Sequence, residues 1–399
     1  MHHYTAKTGY ETQSARPTAI VAHPIWGRGG AEAAAMWTIA ALTADFDVTV
    51  HCRGGFDLGA LNQLSGSSLS PGEVRIRIDR AANRMPFGAL AQGTYMRGLA
   101  RVGADYDLRV TASGVMRWGL PALHFLSSAI WNDVLAGQLD APTAPARRNR
   151  RQRISSALIV AASGEGRRRL EQDVFIANSD WTRQQSAPYC PGRLEVIYPA
   201  VPLQGPGLPW AEREDAVLVF GRLSPEKRIE SCISIVEAAR KLGLSARLVI
   251  AGPPGESGYA AHVTALCAAR RDWVELLPAQ NAQEKVRLLG RMRYGLSACR
   301  IEAFGIATAE MAAAGMLVVV PGGCGQTEIV TDPRMHYDTA AEAAGRLLAL
   351  QNDPALRVAM LAKATAVRGR FSPERYMSAV RKLARETMAA AGPLGRTPK

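Results

Sequence analysis

One stretch constrains the fold more than any other. Ile301-Glu302-Ala303-Phe304-Gly305 leads into an alanine- and methionine-rich segment that stops at Gly315, and the apolar run Leu317 to Val320 follows. Ala and Met are good helix formers, and a glycine just past the last helical residue is a common left-handed stop. A continuous apolar run marks a strand buried on both faces, as in the middle of a parallel sheet. Loop, helix, glycine stop and buried strand make an α/β fold the expectation. Into the apolar helix the chain sets one acid, Glu310. A carboxylate there is costly unless something satisfies it. At the helix start, Phe304-Gly305-Ile306 would present free backbone N–H groups, Gly305 allows close approach, and the helix dipole favours an anion. With Glu302 just ahead, an anion site and two carboxylates for hydroxyl groups suggest a sugar nucleotide. The plainer alternative is an amphipathic helix whose Glu310 meets a neighbouring arginine.

The rest of the chain repeats this grammar. Thr18 to Ala22 reads as a buried strand, followed by His23-Pro24-Ile25-Trp26-Gly27-Arg28-Gly29-Gly30 and a helix to about Thr43. That glycine-rich turn suits a phosphate, although it is neither Gly-x-Gly-x-x-Gly nor a P-loop. Further strands are expected at Asp47–Cys52, Val74–Ile78, Tyr106–Thr111, Leu120–Phe125, Val174–Ala177 and Leu194–Tyr198, with a helix over Met85–Val102. On this reading His124 stands at the C-terminal end of a strand, the edge that lines the ligand crevice in open α/β sheets. A lone histidine among apolar residues is otherwise a satisfied core residue. Pro199, Pro202, Pro206 and Pro209 then mark a linker, after which the alternation starts again. Ala216 to Phe220 is a strand; Gly221-Arg222-Leu223-Ser224-Pro225-Glu226-Lys227 leads into a helix, with Ser224 as the expected N-cap. Arg222 and Lys227 would lie past a strand end, where two cations can neutralise a diphosphate. Strands follow at Arg247–Ala251, Asp272–Leu277 and Tyr294–Ser297, and three helices close the chain.

Composition narrows the partners. The chain has 399 residues, 47% of them hydrophobic, and a net charge of +13. That is room for two domains and favours an anionic partner. The six cysteines are scattered without a Cys-x-x-Cys pair, which fits a reducing cytoplasm and no zinc site. Asp45 with Asp47, and Asp105 with Asp107, resemble a metal-binding Asp-x-Asp, but turn acids before strands are ordinary and no metal is expected. No run of about 20 apolar residues is present, and Met1 to Pro17 lacks an apolar signal core, so neither a spanning helix nor a leader is expected. Arg147, Arg148, Arg150, Arg151 and Arg153 precede the apolar segment Ile154 to Ala162, and Arg167, Arg168 and Arg169 follow it. Such a stretch can dock on an anionic membrane or simply form a solvated face. It lacks the interleaved aromatics of a nucleic-acid platform, and none is expected as partner.

Taken in order, Gly29-Gly30, His124-Phe125, Asn178-Ser179-Asp180-Trp181-Thr182, Gly221 to Lys227, and Glu302-Ala303-Phe304-Gly305 with Glu310 resemble the retaining family 4 glycosyltransferases of GT-B fold. The motif set is most similar to the branch that elongates lipid-linked oligosaccharides and envelope glycans. Leu126 stands where that branch usually has proline, and Arg228 where glycine is common. The resemblance implies two Rossmann-like domains facing a cleft: a flexible start at 1–17, an acceptor domain at 18–200, a linker at 201–212, a nucleotide-sugar domain at 213–370, a helix at 371–391 crossing back to the first domain, and a tail at 392–399. It implies that Glu310 holds the ribose, that the backbone of Phe304, Gly305, Ile306 and Ala307 holds the phosphates, and that Glu302 holds the donor sugar. Arg222 and Lys227 would stabilise the leaving diphosphate, Gly29 and Gly30 would border it, and His124 would lie near the reacting carbon. The implied reaction moves a hexose from GDP-mannose or a UDP-sugar to a glycan or lipid-linked acceptor, keeps the anomeric configuration and needs no metal or other cofactor. The expected setting is the cytoplasm, on the inner face of a membrane. A sugar-nucleotide epimerase or phosphorylase on the same fold, and a non-enzymatic basic scaffold for anionic polymers, remain as rivals.

Overall fold

The computed structural model describes residues 16–27, 29–128, 150–164, 170–202, 207–255 and 257–391. Arg147, Arg148, Arg167, Arg168, Arg169, Pro206, the first fifteen residues and the tail after 391 lie outside it, as do the side chains of Arg150, Arg151 and Arg153.

Two parallel sheets carry the chain. The first joins Thr18–Ala22 (β1), Asp47–Cys52 (β2), Val74–Ile78 (β3), Leu108–Thr111 (β4), Leu123–Leu126 (β5), Val174–Ala177 (β6) and Arg193–Val196 (β7) in the order β3-β2-β1-β4-β5-β6-β7. The second joins Glu214–Phe220 (β8), Arg247–Ala251 (β9), Val274–Leu277 (β10), Met292–Leu296 (β11), Leu317–Pro321 (β12) and His336–Tyr337 (β13) in the order β10-β9-β8-β11-β12-β13. Each sheet reverses its winding once, between β1 and β4 and between β8 and β11. Such a switch point leaves a crevice at the C-terminal strand ends.

The central strands are continuous apolar runs because both of their faces are covered. In β12, Leu317 and Val319 belong to the core on one side and Val318 and Val320 to the core on the other. In β1, Ala19 and Val21 face one layer, Ile20 and Ala22 the opposite one. The helices used below are Gly30–Thr43 (α1), Gly88–Gly103 (α2), Arg150–Ser163 (α3), Asp180–Ser186 (α4), Ile229–Lys241 (α5), Ala282–Arg291 (α6), Ile306–Ala313 (α7), Ala340–Asn352 (α8), Pro354–Arg370 (α9) and Pro373–Ala391 (α10).

The chain passes between the domains twice, through the stretch before β8 and again at Phe371. The two passages touch, the Val201 N–H donating to the Phe371 carbonyl at 2.8 Å. Beyond the second passage α10 returns to the first domain. Tyr376, Val380, Leu383 and Ala384 enter its core, and the Tyr376 hydroxyl lies 2.6 Å from Thr38 Oγ1 on α1. Arg385 closes the contact with a two-pronged pair to Asp45 at 2.8 and 3.0 Å.

One local expectation differs. Ser224 heads a single 3-10 turn, Pro225–Lys227, and caps no α-helix; its hydroxyl donates to Glu226 at 2.6 Å. Helix α5 starts only at Ile229, after Arg228 takes a left-handed conformation with φ +50°. A side chain there is strained, which explains why a glycine is the commoner choice.

Candidate functional site

The second domain holds a small open pocket at the ends of β8 and β11, the switch point of its sheet. Arg222, Lys227, Ser297, Glu302, Gly305 and Ala307 are among the residues that line it. The motifs at 221–227 and 302–307 are thus brought together, as the sequence reading expected of a diphosphate site.

Gly305 is the pivot of this wall. It is the N-cap of α7 with φ +97°, and a Cβ there would stand 3.0 Å from Gln326 Cγ and 3.2 Å from Glu302 Cγ. Only glycine makes this turn without strain, and the turn leaves the first N–H groups of α7 open at the cavity. Gln326, fully buried, fixes the turn from behind. Its side chain accepts from Thr308 Oγ1 at 2.6 Å and donates to the Cys299 carbonyl at 3.0 Å.

Across the cavity the Lys227 ammonium bonds to the Glu302 carboxylate. Burial disfavours the charged lysine, but Glu302 outweighs it and raises the ammonium above the ordinary lysine range. Lys227 is therefore a permanent cation inside the cavity. Arg222 sits at the mouth, mostly exposed, 3.2 Å from Glu226. Glu310 lies on α7 outside this lining. Its carboxylate is 9% exposed and meets Lys285 of α6 at 2.5 Å. The partner of that acid is a lysine brought in from α6, where the plainer sequence reading had an arginine.

Phe304 is pointed away from the cavity. Its ring is 1% exposed and packs 5.1 Å from Phe371 and 6.0 Å from Tyr198, at the place where the chain crosses between domains. Its side chain anchors the loop, leaving only its backbone for ligand.

The first domain meets this wall through α1. A Cβ on Gly30 would lie 3.1 Å from Ile306 Cδ1, so the glycine allows the two helix starts to approach. The loop before it is tied by Glu32, which accepts from the Gly27 N–H at 3.3 Å and lies 3.4 Å from His23 Nε2. The bond from His23 holds the Glu32 carboxyl below its usual range against the opposing effect of burial. A Cβ on Gly29 would stand 2.9 Å from Glu32 as well.

His124 is not part of this site. It is the second residue of β5, not the last, and is fully buried. Its Nε2 lies 3.1 Å from Asp173, the residue preceding β6, so the ring points toward the N-terminal ends of the strands, away from the cleft. The expected strand Leu120–Phe125 runs from Leu123 to Leu126, which places His124 second of four residues and not next to last of six. The residues at the C-terminal end are Ser127, whose hydroxyl lies 2.8 Å from that of Ser113, and Asn178, which donates to the Ser127 carbonyl at 3.1 Å. His23, Trp26 and Asn178 each keep a buried polar atom without a hydrogen-bond partner among the described residues. Sequence reasoning missed Ser113, Ser127 and Glu32 as rim residues; their position just after strands, or one turn into α1, was the available signal.

The Asp-x-Asp pairs are spent on structure. Asp45 holds Arg385, and Asp107 accepts from the backbone and hydroxyl of Thr18 at 2.8 and 2.9 Å. Among the described residues no cluster of His, Cys, Asp and Glu could hold a metal ion, and no helix is long and apolar enough to cross a membrane.

Residues 205–366 match the family described as glycosyl transferases group 1. The match spans the second domain. No curated protein matches the sequence. Among solved structures, the sucrose-phosphate synthase of Thermosynechococcus elongatus superposes with TM-score 0.70 at 16% identity, over 94% of this chain and 100% of that one. HepE of Anabaena, solved in complex with UDP and glucose, gives 0.64 at 16% identity over 94% and 100%. WaaG, a glycosyltransferase involved in lipopolysaccharide biosynthesis, gives 0.62 at 13% identity over 92% and 99%. At these identities the likeness concerns the fold, and the whole chain is GT-B.

Proposed function

We propose that the protein transfers a hexose from a nucleotide-sugar donor to a glycan or lipid-linked acceptor, with retention of anomeric configuration. The observation that carries this reading is the pocket at the second switch point, where a half-buried cation, Lys227, and the open start of α7 converge. That pairing suits a diphosphate leaving group. The backbone at Gly305 to Ala307 would hold the phosphates, Lys227 and Arg222 would stabilise the charge that develops as the glycosidic bond breaks, and Glu302 would accept from donor sugar hydroxyls. Glu310, held by Lys285, would take the ribose. Gly29 and Gly30 would close over the diphosphate from the first domain. Attack from the same face, with the leaving phosphate taking the acceptor proton, completes the transfer without a metal ion. UDP or GDP is the base-bearing product; the UDP in the HepE structure favours a UDP-sugar.

Contact with an anionic membrane through the basic stretch Arg147–Arg153 belongs to the same proposal. Its support is α3, where Ile154, Leu158 and Val160 are 52%, 42% and 54% exposed. Apolar residues beside a basic run suit an interfacial helix.

A donor panel tests the reading. UDP-, GDP-, dTDP- and ADP-sugars are incubated with the protein and a glycan or lipid acceptor mixture, and released nucleoside diphosphate is measured beside a Glu310→Ala control. Release from one donor, reduced in the control at low donor concentration, supports a transferase. If calorimetry detects no binding of any of these nucleotides, the reading fails and the basic-scaffold alternative takes its place.

A further inference from the structure

The domains are joined by a set of hydrogen bonds that the transfer chemistry does not use. From the first domain, Ser179 and Thr182 at the start of α4 reach across to one atom, the carbonyl of Ala303. Thr182 Oγ1 donates to it at 3.2 Å, and Ser179 Oγ donates to the same oxygen. Both hydroxyls are fully buried. Ala303 lies between Glu302 and Phe304, inside the loop that forms the cavity wall.

From the second domain, Glu328 reaches back. Its carboxylate accepts the Asp180 N–H at 2.9 Å, the Trp181 N–H at 2.7 Å and the Tyr198 hydroxyl at 2.8 Å. Burial and then this carboxylate push the Tyr198 hydroxyl up to about 12. The first N–H groups of a helix need acceptors, and a negative charge there is favoured. The usual acceptor is a neighbour in sequence; here it comes from the other domain. Glu328 ends the short turn Gly325–Glu328, and the Gly325 N–H donates to the Glu302 carbonyl at 2.9 Å. A Cβ on Gly325 would stand 1.9 Å from the Ala303 carbonyl oxygen. The segment that carries Glu328 is therefore packed against the loop that Ser179 and Thr182 hold from the other side.

We propose that Glu328, answered by Ser179 and Thr182, is an interdomain clamp that couples closure of the cleft to the position of the donor loop Glu302–Gly305. It is a positioning residue. Its bonds to the Asp180 and Trp181 amides cross to α4, so opening the cleft breaks both together and exposes groups that water can satisfy, while its bond to the hinge residue Tyr198 need not break. That is the behaviour of a reversible contact, in contrast to the aromatic cluster of Tyr198, Phe304 and Phe371 beneath it, which stays in the core. The consequence for transfer rests on the function proposed above; the clamp itself does not.

The test uses the full chain with Glu328→Ala and Glu328→Gln. Amide hydrogen exchange over residues 179–183 and small-angle scattering report the clamp, and UDP calorimetry with steady-state transfer reports its effect. In Glu328→Ala, exchange at Asp180 and Trp181 is expected to rise about tenfold and the particle to expand. UDP affinity stays within about threefold while kcat drops about tenfold at little-changed donor KM, and Glu328→Gln, whose amide oxygen still accepts an N–H, recovers part of each. Unchanged exchange and scattering in Glu328→Ala would overturn the clamp. So would loss of UDP affinity in step with transfer, which would make Glu328 a local prop of the donor loop. Ser179→Ala gives an independent reading: exchange through residues 303–305 is expected to rise with Glu328 intact. If the wild-type protein binds no nucleotide yet exchange rises in the variants, the clamp stands and the donor reading fails.

Discussion

The two walls of the cleft are built from different materials. On the second domain the wall is backbone and charge: a left-handed glycine, the open start of α7, and the pairs Lys227–Glu302 and Lys285–Glu310. On the first domain it is neutral and local: a glycine turn tied to Glu32, and small polar groups at Ser113, Ser127 and Asn178. A phosphate-bearing ligand demands fixed N–H donors and cations, which few arrangements supply. A hydroxyl-rich acceptor can be met by many combinations of small polar side chains. On the proposed reading, the wall on the second domain is generic to a reaction and the wall on the first domain particular to one substrate.

Substitutions can separate the two walls. Lys227→Ala removes the cation of the pocket, and transfer is expected to fall by about two to three orders of magnitude; the rate of nucleoside diphosphate release measures it, and a variant keeping more than about a tenth of the activity would end the assignment of charge stabilisation to Lys227. Gly305→Ala forces a side chain into the left-handed turn at a cost of about 1–2 kcal/mol and against Gln326, so UDP affinity by calorimetry should weaken about tenfold. On the opposite wall, Glu32→Ala releases the glycine turn. Transfer is expected to drop about tenfold with UDP affinity held within about threefold, since the proposed nucleotide site is on the other domain. Equal losses of UDP affinity in Glu32→Ala and Gly305→Ala would erase the distinction between the walls. The smallest effect on chemistry belongs to His124→Ala. It removes one partner of the buried Asp173, which keeps the Ala122 N–H, at a cost of about 1–3 kcal/mol, lowering the melting temperature, while kcat per folded molecule stays the same. A selective collapse of kcat would return His124 to the site.

The sequence showed the donor wall well because that wall is nearly contiguous. Phe304 to Ala307 is a single turn, and its geometry follows from one glycine and the helix behind it. Arg222 and Lys227 were legible because they stand just past an apolar run, and the loops after strands gather at one edge of a parallel sheet. His124 was misplaced for the same kind of reason. The strand runs from Leu123 to Leu126 and not from Leu120 to Phe125, so a residue read as near its end stands near its start; periodicity fixes the interior of an element better than its ends. Phe304 was assigned a place on the phosphate wall by its position in the motif, yet its ring is held in the hinge by Tyr198 and Phe371.

By itself the sequence determined the alternation of buried strands and helices, the break between the two halves, and the glycine that opens the donor helix. Each is a local property, set by apolar periodicity and by the backbone freedom of single residues. The tertiary structure alone decided which charges pair and which groups cross the cleft. Lys227 finds Glu302 75 residues away, and Thr182 finds the carbonyl of Ala303 121 residues away. Such partners are chosen by the packing of one sheet layer against another, and no local pattern of residues encodes the direction in which a buried side chain will point.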